Sequence, residues 1–80
     1  MKKQCNLRQM SLNQKGVIVA VNARGEMGRR IRDMGLIPGA VLTVIRRAPL
    51  NDPVALRLTD FTLMLRNNEA DYITVETQGE

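Results

Sequence analysis

RRIRDMGLIPG, residues Arg29 to Gly39, carries the chain out of a helix and into a strand with almost no slack between them. Met27, Ile31 and Met34 recur at i, i+4 and i+7, one apolar face of a helix, while Arg29, Arg30 and Arg32 point elsewhere. Gly35 stops that helix, because glycine accepts the left-handed conformation needed just past a helix cap; Leu36 is then placed to pack back on Ile31 in a Schellman arrangement. Pro38-Gly39 predicts a type II turn: proline presets φ at the second position and glycine accepts positive φ at the third.

Upstream, GVIVAVN (Gly16 to Asn22) is β-branched and apolar and reads as a strand, broken by Asn22-Ala23-Arg24-Gly25. The helix is expected over Glu26 to Met34, capped by Asn22 or Gly25, with Glu26 near the positive end of the dipole and Arg30 four residues on. Gly28 inside it costs about 1 kcal/mol against alanine, so either it permits close packing or the helix starts later. Leu7 to Lys15 is a lead-in whose Leu7, Met10 and Leu12 offer two or three side chains to the core.

Downstream, VLTVIRR (Val41 to Arg47) is a second strand, followed by a loop, Pro49 to Pro53, whose prolines cannot donate ladder hydrogen bonds. Val54 to Leu58 alternates in the β sense with Val54, Leu56 and Leu58 inward and Arg57 outward. After Thr59-Asp60, Phe61 to Leu65 continues the meander with Phe61, Leu63 and Leu65 on one face. Asn67 to Asp71 suggests one helical turn capped by Asn67 or Asn68, and Tyr72 to Val75 closes the set with Ile73 and Val75 inward. Short strands with turn signals at close intervals and one helix between the first two describe a small, mainly β, closed or nearly closed barrel, which also removes exposed sheet edges.

Composition narrows the function. Eighty residues form one domain, ordered over about 7–76, with a thin core. Phe61 and Tyr72 are the only aromatics, so the chain lacks the stacking platforms of single-strand nucleic-acid binders. The longest apolar run, Val17 to Val21, is far too short to span a bilayer, and Met1-Lys2-Lys3 is not followed by the apolar segment of a signal peptide. A cytoplasmic protein is expected. Residues 1–32 hold eight of the twelve Lys and Arg and one acid, +7, whereas residues 33–80 hold four bases and seven acids, −3. A basic end suits an acidic protein surface, nucleic acid or an anionic membrane.

Catalysis needs an acid–base or nucleophilic constellation, and the chain has no histidine, one serine (Ser11) and one cysteine (Cys5), both before the first predicted strand. Asp33, Asp52 and Asp60 read better as helix-end and turn residues than as a carboxylate pair. Without histidine and with one thiol, no tetrahedral nitrogen–sulfur metal site forms within one chain, and the oxygen ligands Asp33, Asp52, Asp60 and Glu69 are scattered in sequence. Cys5, near an end expected to be poorly ordered, has no internal disulfide partner. Neither a cofactor nor a metal is expected.

DMGLIPG and, one strand later, RRAPLNDP (Arg46 to Pro53) together resemble the family of ferrous iron transport protein A, the small cytosolic partner of a GTP-dependent bacterial ferrous-iron transporter (FeoB-like). The resemblance runs from about Leu7 to Glu76. Asn51 stands where the family has glycine, and Leu12-Asn13 where it has Pro-Gly; asparagine tolerates positive φ, so that turn survives. The resemblance implies an SH3-like barrel with an inserted helix, and a non-enzymatic adaptor, peripheral to the inner membrane through the transporter, that supports iron(II) uptake.

A surface is then the place to look. Arg29, Arg30 and Arg32 lie near Leu36, Ile37 and Pro38, a basic rim beside apolar residues, and Pro49, Leu50, Asn51 and Pro53 form a rigid hairpin tip that loses little entropy on docking. An arginine finger acting on the transporter's GTP would nominate Arg29, Arg30 or Arg32. The apolar tip also makes self-association a candidate. Two other readings compete: a basic SH3-like nucleic-acid-binding module, favoured by a pI near 10.0 and opposed by the few aromatics and the acids after residue 32, and a module like the C-terminal barrel of metal-dependent repressors, which would need an attached DNA-binding domain.

Overall fold

The computed structural model describes residues 2–50 and 52–78. Six strands, β1 (Lys2–Asn6), β2 (Lys15–Val21), β3 (Val41–Arg47), β4 (Val54–Arg57), β5 (Thr62–Leu65) and β6 (Ile73–Gln78), form one antiparallel sheet in the order β1-β6-β2-β3-β4-β5. Helix α1 (Gly25–Asp33) joins β2 to β3, the short helix α2 (Asn67–Ala70) joins β5 to β6, and a 3-10 turn, Leu7–Gln9, follows β1. Inward residues of five strands (Ile18, Leu42, Val44, Val54, Leu56, Leu65, Ile73, Val75) meet Leu7, Met10, Ile31 and Leu36 in one buried cluster, so the sheet curls around a single aliphatic core.

β1 corrects the expectation of a loose N-terminus. Its residues carry no apolar alternation, yet Lys2 to Asn6 pair in register with Gln78 to Thr74 of β6. Backbone hydrogen bonds along an existing strand hold it, and they leave no trace in side-chain pattern. The turn after it is closed by a reciprocal pair: the Gln9 N–H donates to Asn6 Oδ1 at 3.2 Å and the Asn6 N–H to Gln9 Oε1 at 3.0 Å. Leu7 and Met10 from this segment are buried, while Leu12 is 55% exposed and contributes nothing to the core.

The predicted helix exit is present in every hydrogen bond. Gly35 has φ +94; its N–H donates to Arg32 O at 2.9 Å and that of Leu36 to Ile31 O at 3.3 Å, the paired bonds of a Schellman motif. The Ala40 N–H then donates to Ile37 O at 3.0 Å around Pro38 and Gly39 (φ +96), closing the type II turn. Asn13 has φ +66, the left-handed conformation expected of it.

The start of α1 differs from expectation. Arg24, in an extended conformation and with no side-chain capping bond, precedes the helix, and Gly25 is its first residue. Asn22 does not cap it: the residue lies just past β2 and two before Arg24, with its N–H donating to Tyr72 O at 2.7 Å and its Nδ2 to Thr74 Oγ1 at 3.3 Å. Gly28 resolves to close packing: a Cβ there would stand 2.4 Å from the Ala23 carbonyl oxygen. Phe61 is a second difference. It precedes β5 and is 47% exposed, so only Leu65 of its expected face is fully buried.

Candidate functional site

The two sequence motifs are joined by α2, a four-residue helix that neither contains. Glu69, 4% exposed, is held by one oxygen to the Arg30 guanidinium of α1 and by the other to the Arg66 N–H at 3.1 Å. Asp52 of the β3–β4 loop reaches across to the same helix, its Oδ1 accepting the Asn67 N–H at 3.0 Å. Asp71, just past α2, accepts Arg8 at 3.1 Å. Neither Asn67 nor Asn68 caps α2 as expected; Arg66 is the cap residue, its N–H meets the helix's own Glu69, and Asp52 from the β3–β4 loop meets the Asn67 N–H, where a negative charge also complements the helix dipole.

This network sorts the candidate residues. Arg29 and Arg32 are exposed and form no ion pair among the described residues. Arg30 is not a free cation: it pairs with Glu69 of α2, and not with Glu26 one turn away. Leu36 drops out of the candidate surface, because the Schellman turn folds it fully into the core. Ile37 stays 48% exposed and Pro38 exposed. At the hairpin tip Leu50 is 89% exposed, Pro49 exposed and Pro53 half-buried, while Asn51 lies outside the described residues.

Phe61 was absent from the sequence-derived candidates. Its ring lies over the helix exit, with Cζ 3.2 Å from where a Gly35 Cβ would be. A half-exposed aromatic over the exit of a helix that carries the exposed Arg29 and Arg32 has the composition of a protein-binding hot spot. No local signal could have found it, since Phe61 and Gly35 are brought together only by the fold.

Arg47, from the second motif, is used internally: its guanidinium donates to the carbonyls of Arg8, at 3.0 Å, and Met10, fastening the N-terminal lead-in beneath the hairpin. Leu50, Arg8, Met10, Arg47 and Asn67 wall a hollow of about 380 Å³ there. Among the described residues no three His, Cys, Asp or Glu side chains come together to hold a metal ion. Burial pushes the Cys5 thiol above its ordinary pKa, with nearby Lys3 opposing.

The FeoA domain model matches residues 5–77. The chain belongs to the FeoA domain family. This FeoA domain is 40% identical over 70 residues to a Porphyromonas gingivalis protein described as an Fe(2+) transport protein A/Fe(2+) transporter FeoB fusion protein; the match takes in 88% of this chain but 8% of that protein. It superposes on the FeoA-like protein of Clostridium acetobutylicum with a TM-score of 0.89 at 34% identity, covering 100% of this chain and 93% of that one. FeoA from Chlorobium tepidum follows at TM-score 0.84 and 35% identity, over 94% of this chain and 71% of the other. A zinc complex of Stenotrophomonas maltophilia FeoA, described as a procaryotic SH3 domain protein, is 21% identical with a TM-score of 0.78 over 92% of this chain and 96% of that one, a likeness of fold alone. The SH3-like barrel expected of the FeoA family is therefore the architecture present, with β1 as a sixth strand.

Proposed function

We propose that this FeoA domain is a non-enzymatic cytoplasmic adaptor that binds the cytosolic side of a GTP-dependent ferrous-iron transporter and supports iron(II) uptake. The observation that carries the reading is the P. gingivalis relative, in which a domain 40% identical to this one is described as fused to the transporter FeoB. Covalent fusion replaces association by a high effective concentration, which is useful only where the two parts act together. The chain spans 8% of that relative's length. No helix among the described residues is long and apolar enough to cross a membrane, and membrane attachment is through the transporter.

The exposed groups supporting this reading are Arg29 and Arg32 with Ile37, Pro38 and Phe61 at the helix exit, and Pro49 and Leu50 at the hairpin tip. Arginine and aromatic anchors beside apolar residues are what interface cores are built from. The test is binding of the purified chain to the detergent-solubilised ferrous-iron transporter of the same cell, with Arg32→Glu and Leu50→Asp variants and salt varied. Saturable binding weakened by either variant supports the adaptor; no binding with or without nucleotide removes it. Unchanged GTP hydrolysis across Arg29→Ala and Arg32→Ala would separate adaptor from arginine finger.

A further inference from the structure

The outer face of β3, β4 and β5 carries a notch. Arg46 pairs with Ala55 and Ala55 with Met64, so three side chains from three strands lie in one row. The row depends on an irregularity: the register of β3 shifts between Val44 and Arg46, leaving Ile45 as an extra residue. Val44 points into the core, and strict alternation would send Arg46 after it; the bulge turns Arg46 outward.

Ala55 is the small member of the row. A methyl group between longer side chains leaves a hollow of about 560 Å³, walled by Ile45, Arg46, Pro49 and Met64. Met64 is 57% exposed, and an unbranched thioether adapts to apolar side chains of different shape. Two arginines and no acid line the hollow. Arg47 is committed to the carbonyls of Arg8 and Met10, so Arg46 is the cation left at the rim, and it forms no ion pair among the described residues.

We propose that this notch receives one bulky apolar side chain from a partner segment that carries an acidic residue beside it, the acid meeting Arg46. The rim sets the sign: a lone cation beside an apolar hollow steers an acidic segment in and repels a basic one. A second copy of this chain fits less well. Among the described residues its most exposed large apolar side chain is Leu50, which follows Arg46 and Arg47, and the acid nearest to it in sequence, Asp52, is engaged with the Asn67 N–H. That the transporter supplies the segment rests on the adaptor reading; the notch and its ligand chemistry do not.

The experiment titrates the isotope-labelled chain, followed by NMR, with overlapping peptides covering the cytosolic sequence of the ferrous-iron transporter, beside binding of the intact solubilised transporter. Peptides that bind should carry a bulky apolar residue next to Asp or Glu and shift Ile45, Ala55 and Met64. Arg46→Glu and Met64→Glu, both at exposed positions that leave the fold intact, should each weaken binding about tenfold or more, and Ala55→Leu should fill the notch. Binding indifferent to peptide charge, shifts that map elsewhere, or no peptide binding overturns the proposal, as does a dimer lost in Arg46→Glu, which would make a second copy the occupant. Transporter binding lost in Leu50→Asp but untouched by Arg46→Glu and Met64→Glu overturns the notch and leaves the adaptor standing. Peptides seated in the notch with no binding of the intact transporter support the notch and remove the adaptor.

Discussion

Glu69 of α2 is a buried carboxylate that holds Arg30 of α1 with one oxygen and the Arg66 N–H with the other, so the basic helix is tied through this side chain to the connection between β5 and β6. Removing the acid leaves an amide without its acceptor and a cation without its counter-charge. Glu69→Ala is expected to lower stability by about 1–3 kcal/mol in denaturant unfolding. Arg30→Ala should cost less, since the Arg30 side chain is 69% exposed and Glu69 keeps its hydrogen bond from the Arg66 N–H. The double variant should cost less than the sum of the singles.

Asp52 caps a helix that lies far from it in sequence. Asp52→Ala should cost about 1 kcal/mol, the usual price of a lost N-cap acceptor, and Asp52→Asn should recover most of it because an amide oxygen still accepts. Hydrogen exchange is the discriminating readout. The Asn67 amide should lose protection in the alanine variant and keep it in the asparagine one.

Leu36 and Leu50 look alike in sequence, each close to a glycine or proline turn, and the fold gives them opposite roles. Leu36→Ala removes a fully buried side chain and should destabilise by about 2–5 kcal/mol. Leu50→Asp, at 89% exposure, should change stability by no more than about 0.5 kcal/mol. Thermal unfolding of the two variants checks this, and it qualifies Leu50→Asp as a clean probe of binding.

Cys5 should be a slow thiol. Burial raises its pKa, outweighing Lys3, so less thiolate is present at neutral pH than in the unfolded chain. The folded protein therefore holds its proton more tightly, and the associated stability is present below the ordinary thiol value and declines as pH rises beyond it. Alkylation at neutral pH should run slower in the folded protein than in denaturant, and the difference should narrow as pH rises through the folded value. Equal rates in both states would contradict the placement of Cys5 in a paired strand.

What could be read directly from the chain was local. Gly35 and Gly39 need positive φ and Pro38 has a preset one, so the helix exit and the turn after it follow from a few consecutive residues, as do the alternating strands Val41–Arg47 and Val54–Arg57. The tertiary structure decided whatever depended on distant partners: β1 is polar and exists through backbone pairing with β6, Arg30 chooses Glu69 over the nearer Glu26, Asp52 caps α2, and Phe61 covers Gly35. It also decided which candidates are surface, taking Leu36 into the core and, through one extra residue at Ile45, turning Arg46 out beside Ala55. Short-range sterics act through neighbouring dihedrals and are written in sequence order. Hydrogen bonds and ion pairs between segments are selected by geometry that exists only once the sheet has curled.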